Sequence, residues 1–185
     1  MRIQFEKASD LFLAFPTLES DMVAKPTDHP VLDFMAHLLE GETPEDAITF
    51  FSYLAPKREA VWWACRCARL LNGNTGLKPA VALAEVWVRT PEEEHRRAAL
   101  DHAEAADSGV SDTWAAYGAG WSGGNIAPDG NPPILAAPQL TAKAVRASVL
   151  IAISEDEPRT RQDRLKRCYA EALRLANHDT EAELS

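Results

Sequence analysis

Ala55–Leu71 reads A-P-K-R-E-A-V-W-W-A-C-R-C-A-R-L-L, and its spacing decides the fold class. At the helical advance of about 100° per residue, Ala60, Val61, Trp63, Ala64, Cys67, Ala68, Leu70 and Leu71 gather on one broad apolar arc, the pattern of a core-facing helix. Trp62 falls outside that arc, on a stripe with Arg58, Arg66 and Arg69. A tryptophan with arginines one turn away predicts one of two things: a cation–π stack shielded by the rest of the chain, or the centre of a binding surface. Tryptophan and arginine are the side chains most enriched at the energetic centres of protein interfaces, which makes the stripe a candidate partner site. The alternative is cover from within, with the acidic helix that starts at Thr43 lying across it and pairing the arginines with Glu45, Asp46 or Glu59.

Working outward, nearly every segment keeps the same 3.6-residue period. Ser9 is placed to cap a short apolar turn, Leu11–Phe15, stopped by Pro16. Thr27 or Asp28 precedes a helix with Pro30 in its first turn and Gly41 at its end. Thr43-Pro44-Glu45-Asp46 and Thr90-Pro91-Glu92-Glu93 read as two helix starts of one design. Each has a threonine N-cap, a proline that presets the first turn, and acids at the positive end of the dipole. Pro79–Arg89 is apolar nearly all round, with Lys78, Glu85 and Arg89 on its wet stripe. Gln139–Ile153 leaves only Lys143 and Arg146 obviously exposed, so both helices are expected in the middle of a bundle. A basic amphipathic helix follows, read as a solvated face, and the tail from about residue 178 frays. The turn Asn72-Gly73-Asn74-Thr75-Gly76 separates the tryptophan helix from the next. The expected fold is all-α: one domain over residues 1–185, an irregular helical bundle or short α-solenoid, since the two Thr-Pro-acid starts lie about one armadillo unit apart.

One segment resists helix. Gly118–Ala137, G-A-G-W-S-G-G-N-I-A-P-D-G-N-P-P-I-L-A-A, holds five of the nine glycines and three prolines. A long Gly/Pro-rich loop inside a compact domain is functional or wraps the bundle, here with Trp121 and Ile126 as anchors. It supplies a second candidate contact, around Trp121 and Asn125.

Catalytic patterns are thin. Gly120-Trp121-Ser122-Gly123-Gly124 matches G-x-S-x-G, and Asp129 and His178 follow in order, but the nucleophile elbow needs a strand before the serine and no parallel sheet is expected. The same glycines lack the G-K-[ST] of a phosphate loop. His95 and His102 lie seven apart with alanine at the chelating position 99, and His29 and His37 are isolated, so no metal or cofactor is expected. A net charge of −9 argues against non-specific nucleic-acid binding. Three cysteines, two of them pointing apart on one helix, predict reduced thiols rather than a disulfide framework. The N-terminus carries Glu6 and Asp10 where a signal peptide is acid-free, and no apolar run is long enough to span a bilayer; the expected location is the cytoplasm.

P-K-R-E-A-V-W-W-A-C-R-C-A-R at Pro56–Arg69, together with W-S-G-G-N-I-A-P at Trp121–Pro128 and the alanine-rich helix after it, resembles an uncharacterised family of small all-helical proteobacterial proteins associated with type VI secretion loci. The resemblance implies a cytoplasmic accessory role, adaptor or chaperone, and carries over no catalytic residue. The sequence therefore leads to a non-enzymatic protein-interaction module whose partner is another protein. An immunity-type protein that neutralises a toxin is the alternative, and a serine hydrolase centred on Ser122 the third reading.

Overall fold

The computed structural model describes residues 1, 3–72, 78–128 and 130–177. Of these residues 66% are helical, and no sheet forms among them. Among the described residues ten helices follow in order: α1 Ala8–Ala14, α2 Leu18–Asp21, α3 Val31–Glu40, α4 Glu45–Leu54, α5 Lys57–Asn72, α6 Pro79–Arg89, α7 Glu93–Ala105, α8 Ser111–Gly120, α9 Leu140–Ser154 and α10 Arg161–Asn177. Two isolated bridges, Lys7 with Pro30 and Asn125 with Leu135, tie extended segments together. The turn expected at 72–76 falls outside the described residues after Asn72, as does the tail from 178.

α5, α8 and α9 pack on one another at the centre, with α6 and α7 against α8, α4 against α9, and α10 across α4 and α5. A solenoid's repeats touch only their neighbours. Here late helices return to early ones, and the Met1 ammonium donates to the Leu175 carbonyl at 3.2 Å. The architecture is an irregular bundle closed on itself.

α8 holds the middle because it is built of small residues. Ala115, Ala116, Gly118, Ala119 and Gly120 are all buried. A Cβ on Gly120 would stand 2.7 Å from Leu100 Cβ, and one on Gly118 would stand 3.2 Å from Val145 Cγ2. The first leaves no room for a side chain, so α7 reaches α8 because glycine occupies position 120; the second is tight, and a side chain at 118 would push Val145 aside by a few tenths of an ångström.

Several local expectations are corrected. Neither Thr43 nor Thr90 caps its helix by its side chain. Thr43 Oγ1 donates to the Asp46 carboxylate at 3.0 Å, and that buried carboxylate also accepts from the Val23 and Ala24 amides at 3.0 and 2.8 Å. Asp46 is thereby turned inward to hold the chain after α2. At the second start, Thr90 offers its carbonyl to His95 Nδ1 at 2.9 Å. Ser9 lies inside α1 and donates to Asp28 at 2.8 Å. On α6 the wet stripe is misassigned: Glu85 is buried and Val86 is exposed. Arg164 of the basic helix is buried too, donating to the Ala152 carbonyl at 2.6 Å.

Candidate interaction surface

The arginine–tryptophan stripe runs along α5 between α6 and α10, and it turns inward. Trp63 is fully buried, with Nε1 donating to the Cys168 carbonyl at 3.1 Å and its ring edge-on to Phe51 at 4.8 Å. Trp62, expected on the surface, is only 7% exposed. The Arg66 guanidinium stands 5.9 Å from its ring centroid, the predicted cation–π contact. The three arginines act as struts to the flanking helices. Arg58 Nε donates to the Val88 carbonyl at 2.5 Å, Arg66 Nε to Glu171 at 2.7 Å, and Arg69 forks onto Glu85 at 2.5 and 2.6 Å. Cover therefore comes from α6 and α10, and not from α4. Glu45 instead pairs with Arg161. Burial pushes Glu171 up, but hydrogen bonds from Arg174 and Arg66 outweigh it and hold the carboxyl below its ordinary range.

The Gly/Pro-rich loop is held differently from expectation. Trp121 and Ile126 are half-buried, and the buried loop residue is Ala127. Its anchor is Arg96 on α7, 4% exposed, on the same face as the buried Ala99, Leu100 and Ala103. Arg96 donates to the Gly120 carbonyl, to the Asn125 carbonyl at 2.9 Å, and to both oxygens of Glu93 at 2.7 and 2.6 Å. The hydrogen bond from Arg96 holds Glu93 below the usual carboxylate range. Gly124 has φ +63°, which favours glycine, and a Cβ there would fall 3.1 Å from the guanidinium and crowd it. Arg97 donates to the Ala127 carbonyl at 3.0 Å, and Lys57 Nζ to the Ser122 carbonyl at 2.7 Å. Asn125 works within the loop: its Oδ1 accepts from the Ala127 and Ile134 amides at 3.0 and 2.9 Å.

On the outer side of α8, Trp114, Tyr117 and Trp121 form a half-exposed aromatic cluster. Tyr117 and Trp121 lie 4.5 Å apart at 33°, and Trp114 meets Trp121 edge-on at 6.1 Å. Farther along the loop, Ile134 and Leu135 are 58% and 77% exposed. Aromatic rings on a pinned backbone present large contact area at low entropic cost.

Helix α8 precedes Ser122 where an elbow needs a strand, and Asp129 and His178 lie outside the described residues. Among the described residues no three His, Cys, Asp or Glu side chains converge to hold a metal, and no helix is long and apolar enough to cross a membrane. Cys65, Cys67 and Cys168 are free and buried.

Arg96 was missed because a Glu/Arg/Ala-rich helix reads as surface. The available signal was its position, three and four residues before Ala99 and Leu100 on the apolar face.

No curated protein and no solved structure matches the chain. Residues 34–176 match a family of unknown function, DUF6931, and the chain, most of which lies within that match, belongs to this family.

Proposed function

We propose that the chain is a non-enzymatic protein-interaction module whose partner docks on the aromatic cluster Trp114, Tyr117 and Trp121 and on the exposed loop residues Ile134 and Leu135. The observation that carries this reading is the Arg96 anchor, which fixes the loop backbone that bears Trp121. A pinned, half-exposed tryptophan beside two further rings has the chemistry of an interface hot spot, whereas the arginines of the Arg58/Trp62/Arg66/Arg69 stripe are engaged by α6 and α10. The resemblance adds a setting: a cytoplasmic adaptor or chaperone accessory to type VI secretion in a proteobacterium.

The test is to identify the partner by co-purification with the tagged chain from its organism of origin, then measure the purified pair. Trp121→Ala and Leu135→Asp are each expected to weaken binding by about 30-fold, the hot-spot threshold of roughly 2 kcal/mol. Arg66→Glu is expected to leave affinity within threefold. Unchanged affinity for both loop variants overturns the reading.

A further inference from the structure

At the start of α5 lies a partly open cleft of about 120 Å³, lined by Phe5, Phe15, Pro56, Lys57, Thr141 and Ala142 together with the last turn of α4. Four features of its wall point to one kind of ligand.

Thr141 is 1% exposed, and its hydroxyl has no partner. A buried hydroxyl without a hydrogen bond is rare, and one on a cleft wall is what a ligand atom would satisfy. Lys57 carries a cation with no carboxylate beside it among the described residues. Its one hydrogen bond goes to the Ser122 carbonyl, and burial pulls the ammonium below its ordinary value. Two long helices begin at the cleft, with Lys57 and Ala60 of α5 and Thr141 and Ala142 of α9 on its wall, so the positive end of each dipole lies beside it. Opposing them is one helix C-terminus, that of α4, whose last residues Ser52, Tyr53 and Leu54 form a wall. The carboxylate bonded to Tyr53 is Asp21, and Lys143 already neutralises it at 2.8 Å. The local balance is therefore positive on a chain whose net charge is −9. The remaining walls, Phe5, Phe15 and Ala142, are apolar.

We propose that this cleft is a binding site for a small aliphatic carboxylate, its charged end on the Thr141 hydroxyl, Lys57 and the two helix N-termini, and its alkyl stem on Phe5, Phe15 and Ala142. The volume is comparable to the roughly 150 Å³ of a cavity that admits benzene, which fits a short-chain acid. The site does not depend on the interaction face proposed above, and its test does not use the partner.

The experiment is an amide-resolved NMR titration of the full chain with sodium butyrate, and in parallel with butyramide, its neutral counterpart. Butyrate is expected to shift the amides at 57–60 and 140–143 saturably, with butyramide at least tenfold weaker. Thr141→Val keeps shape while removing the hydroxyl, and should leave the melting temperature unchanged or raised while weakening butyrate several-fold. Lys57→Met should weaken it about tenfold. No saturable shift at those amides overturns the proposal. So does equal binding of butyramide, or unaltered butyrate affinity in both variants.

Discussion

Replacing Arg96 with methionine probes the loop anchor and can be worked through in numbers. The substitution keeps an unbranched apolar stem in a 4% exposed site and removes the guanidinium. Three acceptors lose their donor. The Gly120 carbonyl, at the end of a buried helix, is left without it inside the protein, at a cost of about 1–3 kcal/mol. The Asn125 carbonyl belongs to a half-buried residue and recovers part of its hydrogen bonding from water. Glu93 has a side chain 67% exposed, so its carboxylate rehydrates and contributes little. The sum is about 2–4 kcal/mol. For a chain of this size each kcal/mol moves the melting temperature by roughly 2–4 °C, so calorimetry should record a fall of about 5–15 °C. The loss should also be local. The Ile126 and Ala136 amides, bonded at 2.8 and 3.2 Å to the Ile134 and Gly124 carbonyls, should exchange hydrogen faster, while α9 amides follow only the global change. Gly124→Ala, which retains Arg96 but crowds its guanidinium at φ +63°, should loosen the same two amides. A melting temperature within about 1 °C of the parent, or loop amides with undiminished protection, would refute the claim that Arg96 fixes this loop.

Three further outcomes are expected. Arg66→Glu sets a carboxylate beside Glu171, which is 12% exposed, and should cost about 1–3 kcal/mol, read as a lower melting temperature with retained partner affinity; an unchanged melt would mean that the stripe is not an internal clamp. For acid stability, Asp21 and Glu171 have folded values held below their ordinary ones, since hydrogen bonds from Lys143 and from Arg174 and Arg66 outweigh burial. Their contribution is complete above the unfolded values near about 4, and is lost as pH falls through the lower folded values; Glu171→Gln should flatten that limb of the denaturation curve. Burial pushes the Cys65 and Cys67 thiols well up, and all three cysteines are enclosed. A thiol reagent at pH 8 should therefore modify none in the native chain and three after denaturation, and fast native labelling would contradict that packing.

What the chain disclosed about itself divides along one physical line. Interactions within a turn or two of sequence were legible: α6 begins at Pro79 and ends at Arg89 as read, Trp63 lies on the core arc, and Arg66 reaches Trp62 one turn away. Groups satisfied from afar were not. A helical wheel grants each helix one buried face, yet α5 is packed by α6, α8, α9 and α10, and Trp62 disappears under helices that begin 17 and 99 residues later. Polarity misled in the same way. Glu85 reads as wet until Arg69 arrives from another helix, and Arg66 and Lys143 find their carboxylates 105 and 122 residues away. Lacking a partner in its own helix, each such charge looks solvated, and burial is possible only because the fold delivers a counter-charge or a carbonyl. The exception shows where the missing signal lay. Arg96 has a local partner in Glu93 and sits on an otherwise apolar face, so its own position marked a charge turned inward before any distant carbonyl was known. The same test applied to Trp62 asks whether arginines on both sides have acceptors within reach along α5. Arg66 and Arg69 took theirs from α10 and α6 instead, and with those helices came the cover that hides the ring. The candidate interaction face consequently moves from the stripe to the loop that Arg96 holds in place.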